Sequence, residues 1–326
     1  MSLPISFVRA ILLPYPKNAK ENEYNSAIQR AGAFPLFDTN ILLYIEEYYS
    51  SFPFADKNIK VKYDIVYENK APFRPDSIIS INDNIFVVSH SNAGIVLLLE
   101  NNLRGSLVSK RIGENIVSKP YGLGFDKKRN LLFVSDIDKR QIHIFSLKDY
   151  SYTRSIGCSN YENKQYGIAV VNDNLIICDR NNNRLQLFSL ETFIFMRSIK
   201  TPKYKDFSPF TMCYNHILDR LYVVNHCNDC IYVFSGDGTY LYDFYVNDDR
   251  HHLRDIQVSN DGQFLIILDF EYRRVLIHRC DDNSYVTSYE VLEDETVSFP
   301  CGMCLHNDSL LICDTYQNRI VRISKK

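Results

Sequence analysis

No excess of charge of either sign marks this sequence. Lys and Arg number 37 against 39 Asp and Glu, a net −2 over 326 residues. A global basic field that would hold nucleic acid or an anionic membrane is therefore absent. No apolar run approaches the roughly 18 residues of a membrane span. The apolar stretch 5–13 is short, is interrupted by Arg9 and follows no basic segment, so no secretion signal is expected. Neither a Ser-His-Asp set nor a glycine-rich phosphate loop is present. Tryptophan is missing altogether. The cysteines number nine, and Cys178, Cys213 and Cys313 sit inside strand-like runs where they act as small apolar residues. No disulfide framework is expected, and a reducing compartment, the cytoplasm, is predicted.

What the chain does have is repetition. Asp314 has counterparts at Asp269, Asn225, Asp179, Asp136 and Ser89, at intervals of 45, 44, 46, 43 and 47 residues. Six residues after each stands an aliphatic: Ile95, Ile142, Leu185, Ile231, Val275 and Ile320. A period in the forties built from short strands is the signature of a β-propeller. Six blades consume roughly 270 residues at about 45 each. The predicted fold is all-β, a six-bladed β-propeller of four-stranded antiparallel blades over 58–326.

The stretch 166–199 serves as the type blade. Tyr166-Gly-Ile-Ala-Val-Val, Leu175-Ile-Ile-Cys, Arg184-Leu-Gln-Leu-Phe-Ser and Phe193-Ile-Phe-Met-Arg-Ser-Ile read as four strands separated by Asn- and Asp-rich turns. Blade 6 ends at Ile320-Val-Arg-Ile-Ser-Lys-Lys, only its third strand, which leaves an unpaired edge. The segment 59–68 lies where a fourth strand falls in other repeats. It is predicted to complete blade 6 and close the ring.

Residues 1–57 do not repeat. Around 38–50 apolar residues fall at 41, 42, 44, 45, 48 and 49 behind Asp38, the pattern of an N-capped amphipathic helix. A short α-helical N-terminal extension is expected, packed on the propeller or serving as an adaptor.

Blade 6 also resembles an NHL repeat, through Pro300-x-Gly302, Asp314, Asn318, Arg319 and Ile320. Blade 3 keeps Gly167, Asp179, Asn183 and Arg184. Blade 2 keeps Pro120, Gly122 and Asp136, with Gln141 in the Arg place, and blade 5 keeps Asp269 and Arg274. Blades 1 and 4 lack the Asp and Arg. The resemblance covers about 59–326 and implies a six-bladed ring. It implies a range of functions, since NHL propellers include protein-binding and RNA-binding modules and related rings include metal-dependent lactonases and lyases.

The Asp-x4-Arg pairs recur in several blades, which marks them as scaffold: the carboxylate takes turn N–H groups while the guanidinium pairs with it. Function is expected where the copies disagree. The residue before each repeat's Gly column is Asp76, Tyr121, Tyr166, Phe210, Arg254 or Cys301. These six should ring one mouth of the central channel, and three aromatics with an acid and an arginine suit a peptide or small ligand. Cys227/Cys230 and Cys301/Cys304 have zinc-like spacing, but they fall in different blades, and strand alternation turns Cys301 and Cys304 to opposite faces. His251-His252 reads as a solvated loop. No catalytic residue, metal site or cofactor is assigned.

The leading reading is a non-catalytic protein-interaction scaffold that presents one face to a protein partner. A second is a lactonase-like hydrolase or lyase with a cation in the channel, for which the columns offer only Asp76 and Asp255. A third is an RNA-binding propeller using Arg180, Lys203, Lys205, Arg250, Arg254 and Arg273. Glu293, Asp294 and Glu295 on the same side give that face mixed sign.

Overall fold

A computed structural model describes residues 52–55, 60–68, 73–102, 105–157, 165–202, 207–246, 252–291 and 299–325. The helix expected around 38–50 lies outside them.

The described chain folds into six four-stranded antiparallel sheets. Their first strands are Pro75–Asn82, Pro120–Asp126, Gln165–Val171, Pro209–Asn215, Leu253–Val258 and Pro300–His306. Each first strand touches that of the next blade, and the sixth touches the first, so the sheets form a closed ring around these inner strands. Closure follows the sequence expectation. Val61–Glu68 pairs antiparallel with Arg319–Lys325, from Val61 opposite Lys325 to Glu68 opposite Arg319. One sheet thus holds both ends of the ring.

Among the described residues no strand ladder joins one blade to the next. The blades cohere through apolar wedges, and strand alternation supplies both faces of each wedge. In the second strand of blade 3, Leu175 and Ile177 pack toward Phe133, Ile142 and Ile144 of blade 2. The alternate residues Ile176 and Cys178 pack toward Leu221, Val223 and Tyr232 of blade 4. This is why the second strands are unbroken apolar runs: they are buried on both sides. The blade 6 to blade 1 wedge is built the same way, with Leu311, Cys313 and Ile320 against Ile78, Phe86 and Val88.

The column residues hold the loops that enter each blade. Asp136 is fully buried. It accepts N–H bonds from Ser118 at 2.6 Å, Lys119 at 3.2 Å, Asp138 at 3.1 Å and Lys139 at 3.0 Å. Asn225 accepts from Ser208 N–H, and Asp314 from Phe299 N–H at 3.1 Å. The Arg partners close on the same carboxylates: Arg184 Nε to Asp179 at 2.7 Å, Arg274 to Asp269 at 3.2 Å and Arg319 to Asp314 at 2.9 Å. Blade 2, which has Gln141 in the Arg place, sets His143 Nε2 3.3 Å from Asp136 instead. The residue four after the Asp column lies in the left-handed region in blades 2 to 6: Arg140, Asn183, Asp229, Arg273 and Asn318. That conformation explains the Asn of the repeat, because Asn tolerates it better than most side chains.

Blade 1 corrects the alignment. Its first-strand residue Pro75 pairs with His90, as Pro120 pairs with Asp136 and Pro300 with Asp314. His90 therefore occupies the Asp column, not Ser89. Its Nδ1 accepts the Arg74 N–H at 3.4 Å, the counterpart of the Phe299–Asp314 bond. Ser89 is instead equivalent to Ser135: each hydroxyl accepts an inner-strand N–H, from Ser77 at 2.9 Å and from Gly122 at 2.7 Å. The inner strand of blade 1 carries one extra residue in a second bulge between Ser80 and Asn82, and this displaced the count.

Candidate functional site

Every inner strand begins with a β-bulge. The register shifts fall between Pro75 and Ile78, Pro120 and Leu123, Gln165 and Ile168, Pro209 and Thr211, Leu253 and Asp255, and Pro300 and Met303. A bulge re-aims a side chain out of the ladder. The six bulge residues Asp76, Tyr121, Tyr166, Phe210, Arg254 and Cys301 all line one cavity of about 410 Å³ at the end of the ring where the inner strands start.

The glycine column beside them exists for close approach. A Cβ at Gly122 would stand 1.9 Å from the Tyr166 carbonyl oxygen. At Gly302 it would stand 2.6 Å from the Asp76 carbonyl oxygen. Blade 5 puts Asp255 in this column. Its carboxylate accepts the Thr211 hydroxyl at 3.0 Å, its neighbour Ile256 N–H at 2.9 Å and Met303 N–H at 2.8 Å, bridging blades 4, 5 and 6. Burial pushes its pKa up to about 6 against these bonds.

Below the cavity the ring narrows to about 20 Å³, between Asp76, Tyr121, Phe210, Arg254, Asp255 and Cys301, room for about one water. Beyond this throat lies a second space of about 290 Å³ of mixed lining, with Ser77, Thr211, Asp255 and Gln257 among its polar residues and Ile79 and Val170 among its apolar ones. The mouth is therefore a cup that tapers to a narrow constriction.

Sequence reading missed a second ring of mouth residues, although the signal was present. The residue after each corrected column position is Ser91, Ile137, Arg180, His226, Phe270 or Thr315. Five of these line the same cavity. The sixth, His226, lies against Phe210, with centroids 5.2 Å apart. Their backbone is tied down by repeated bonds: Ile137 N–H to Lys119 O, His226 to Ser208, Phe270 to His252 and Thr315 to Phe299, at 2.9–3.2 Å. Arg74, Lys119, Phe299 and Tyr316 complete the wall.

Tyr121, Tyr166 and Phe210 form an aromatic cluster with centroids 5.0–5.7 Å apart. Two guanidinium groups flank it. Arg180 lies over Tyr166 and Phe210 at 5.5 and 5.8 Å, and Arg254 lies over Phe210 and Phe270 at 5.6 and 4.7 Å. Arg180 donates to the Ser208 hydroxyl at 3.2 Å and to His226 Nδ1 at 3.1 Å. Burial, then Arg180 and Arg254, drive the His226 pKa down to about 4, so its imidazole is neutral near pH 7. Burial raises the Cys301 thiol pKa, which keeps the sulfur protonated and a poor nucleophile. Asp76 is 3% exposed, and burial raises its carboxyl pKa. Arg74 Nε lies 3.5 Å from Asp76 Oδ1. Asp76 Oδ2 has no hydrogen-bond partner among the described residues.

The remaining candidates separate. Cys227 is exposed and Cys230 is buried, its thiol donating to Phe244 O at 3.2 Å. Cys301 faces the cup while Cys304 packs in the wedge between blades 6 and 1. Each of the eight described cysteines is unpaired. No group of three His, Cys, Asp or Glu side chains able to hold a metal occurs among the described residues. His252 pairs with Glu271 at 3.3 Å on the surface. Arg250, His251, Lys203, Lys205 and the 293–295 acids lie outside the described residues. No described helix is long and apolar enough to cross a membrane.

No protein-family model and no curated protein sequence matches the chain. Solved structures share the fold. Virginiamycin B lyase from Staphylococcus aureus superposes with a TM-score of 0.62 at 13% identity, over 81% of this chain and 99% of that one. The β-propeller domain of Cps50 (Swd1) from Myceliophteria thermophila superposes with a TM-score of 0.58 at 12% identity, over 81% and 99%. Hydrazine synthase from Kuenenia stuttgartiensis gives 0.60 at 14%, over 78% of each chain. These likenesses, all below 15% identity, establish a β-propeller and fix no activity.

Proposed function

We propose that this propeller is a non-catalytic protein-interaction module that receives a segment of a protein partner in the cup at its mouth. The NHL likeness of blade 6, from Pro300 to Ile320, belongs to the same reading. One observation carries it: the six bulge residues that differ from blade to blade converge on a single tapering cavity, walled by aromatic rings and guanidinium groups. Amphipathic aromatics and arginine are the side chains that anchor protein interfaces.

The chemistry of the cup supports binding over turnover. Its histidine neighbour is neutral and already engaged with Arg180, and its thiol is held protonated. A channel cation, as in a lactonase-like hydrolase or lyase, would find Asp255 with three of its roughly four acceptor sites already taken by bonds that tie blades 4, 5 and 6. The lyase among the structural relatives therefore lends its fold and not its reaction to this reading.

The test is capture of partners on immobilised full-length protein, identified by mass spectrometry. The wild type is compared with a variant in which Tyr121, Tyr166 and Arg254 are all changed to Ala. Loss of specific partners with an unchanged circular dichroism spectrum is the expected result. Unaltered capture would reject this face. Stabilisation by millimolar Ca²⁺ or Mn²⁺ that disappears in Asp255→Asn would favour the hydrolase instead.

A further inference from the structure

The charge pattern of the cup specifies the chemistry of its occupant. Arg180 and Arg254 both stack on Phe210, and neither has a carboxylate partner among the described residues. The contrast with Arg184, Arg274 and Arg319, each closed onto a column Asp, is direct. Arg254 Nε is buried without an acceptor among the described residues. Arg180 spends donors on the neutral partners Ser208 and His226, and neither guanidinium has its charge answered by a carboxylate, so in a partly desolvated site both are poised to attract an oxyanion. Across the cup, Asp76 is buried to within 3%; Arg74 lies beside its Oδ1 and Ser91 bears on the carboxylate, while Oδ2 completes no hydrogen bond of good geometry among the described residues. A buried carboxylate oxygen calls for a donor. The site therefore asks for an acceptor with negative charge on one side and an N–H donor on the other.

We propose that the cup takes an acidic peptide segment of the partner: a Glu or Asp side chain accepts hydrogen bonds from Arg254 and Arg180, while a neighbouring backbone N–H donates to Asp76 Oδ2. An apolar side chain next to the acid packs on the Tyr121–Tyr166 edge. This rests on the mouth being the binding face. A phosphodiester strand fits less well, because its charges would run past the Asp76 carboxylate.

The test uses full-length protein and three fluorescein-labelled, capped pentapeptides. They share one phenylalanine and differ only in a central glutamate, glutamine or lysine. Anisotropy is expected to show the glutamate peptide binding about tenfold or more tighter than the glutamine peptide, and the lysine peptide weakest. Arg254→Ala and Arg180→Gln should each weaken the glutamate peptide about tenfold, Arg254→Lys should recover part of that loss, and Asp76→Asn should weaken it several-fold. Should one variant misfold by circular dichroism, the other arginine and the wild-type peptide ranking still decide. Equal affinity for glutamate and glutamine, preference for lysine, no binding of any peptide, or Arg254-dependent binding of poly(U) would each overturn the proposal. If partner capture depends on Tyr121, Tyr166 and Arg254 while the peptide ranking fails, the mouth remains the interface and only its acidic specificity falls.

Discussion

Asp136→Asn is the substitution on which the scaffold argument depends most directly. The Asp136 carboxylate is fully buried and accepts four backbone N–H groups and the His143 imidazole. Burial by itself would raise its pKa. The bonds from His143, Lys139, Ser118 and Lys119 outweigh burial and bring it from 3.8 down to about 2. At about 1.4 kcal/mol per unit, that shift corresponds to about 2–3 kcal/mol of stability. The sign follows from the depressed value. The contribution is present above about pH 4 and is lost as pH falls toward 2. An asparagine keeps the shape but turns an NH₂ toward groups that are themselves donors. Urea unfolding followed by far-UV circular dichroism at pH 7 should therefore show a loss of about 2–3 kcal/mol. By pH 3 the gap between variant and wild type should narrow by ~1 kcal/mol, because the wild type has begun to lose its own advantage. The unfolding slope should not change, since the same surface is exposed. A loss below about 1 kcal/mol, or a gap that stays constant from pH 7 to pH 3, would refute the claim that this column anchors the loop into blade 2.

Three other outcomes are expected. Gly122→Ala places a methyl group 1.9 Å from the Tyr166 carbonyl oxygen, a backbone atom that cannot swing away; it should cost about 3 kcal/mol or more, read as a lowered urea midpoint, and an unchanged midpoint would contradict the close approach of blades 2 and 3. Deleting 59–68 or 319–326 removes one side of the ladder that closes blade 6 and should unfold the ring, so a folded monomer by light scattering and circular dichroism would defeat the closure model. Asp255, with its pKa raised by burial to about 6, favours the protonated state: that contribution is full below about pH 4 and is lost as pH rises through about 6. Asp255→Asn should accordingly flatten the decline in melting temperature between about pH 4 and 6, and an unaltered slope would mean that this carboxyl does not titrate there.

The repeat was legible because its physics is local. Second strands such as Leu175-Ile-Ile-Cys announce burial on both faces, and the wedges on either side of blade 3 bear this out. The closing strand was legible from the missing fourth strand of blade 6. The blade 1 column was misread by one residue, because a bulge between Ser80 and Asn82 adds length without changing residue type. The second mouth ring went unread for a related reason. Arg180 and Phe270 look like ordinary turn residues until the neighbouring inner strands bring Phe210 and Arg254 beside them.

By itself the sequence determined the six blades, their strand order within each blade and the closure, since these depend on period-two burial, turn chemistry and the count of strands. Tertiary structure alone decided which charges are answered. Arg184, Arg274 and Arg319 meet a carboxylate five residues away in sequence, whereas the surroundings of Arg180 and Arg254 are set by what the neighbouring blades bring to the mouth. Pairing within a turn is written in the spacing of the chain; the balance of charge in a cup built from every blade exists only once the ring has closed.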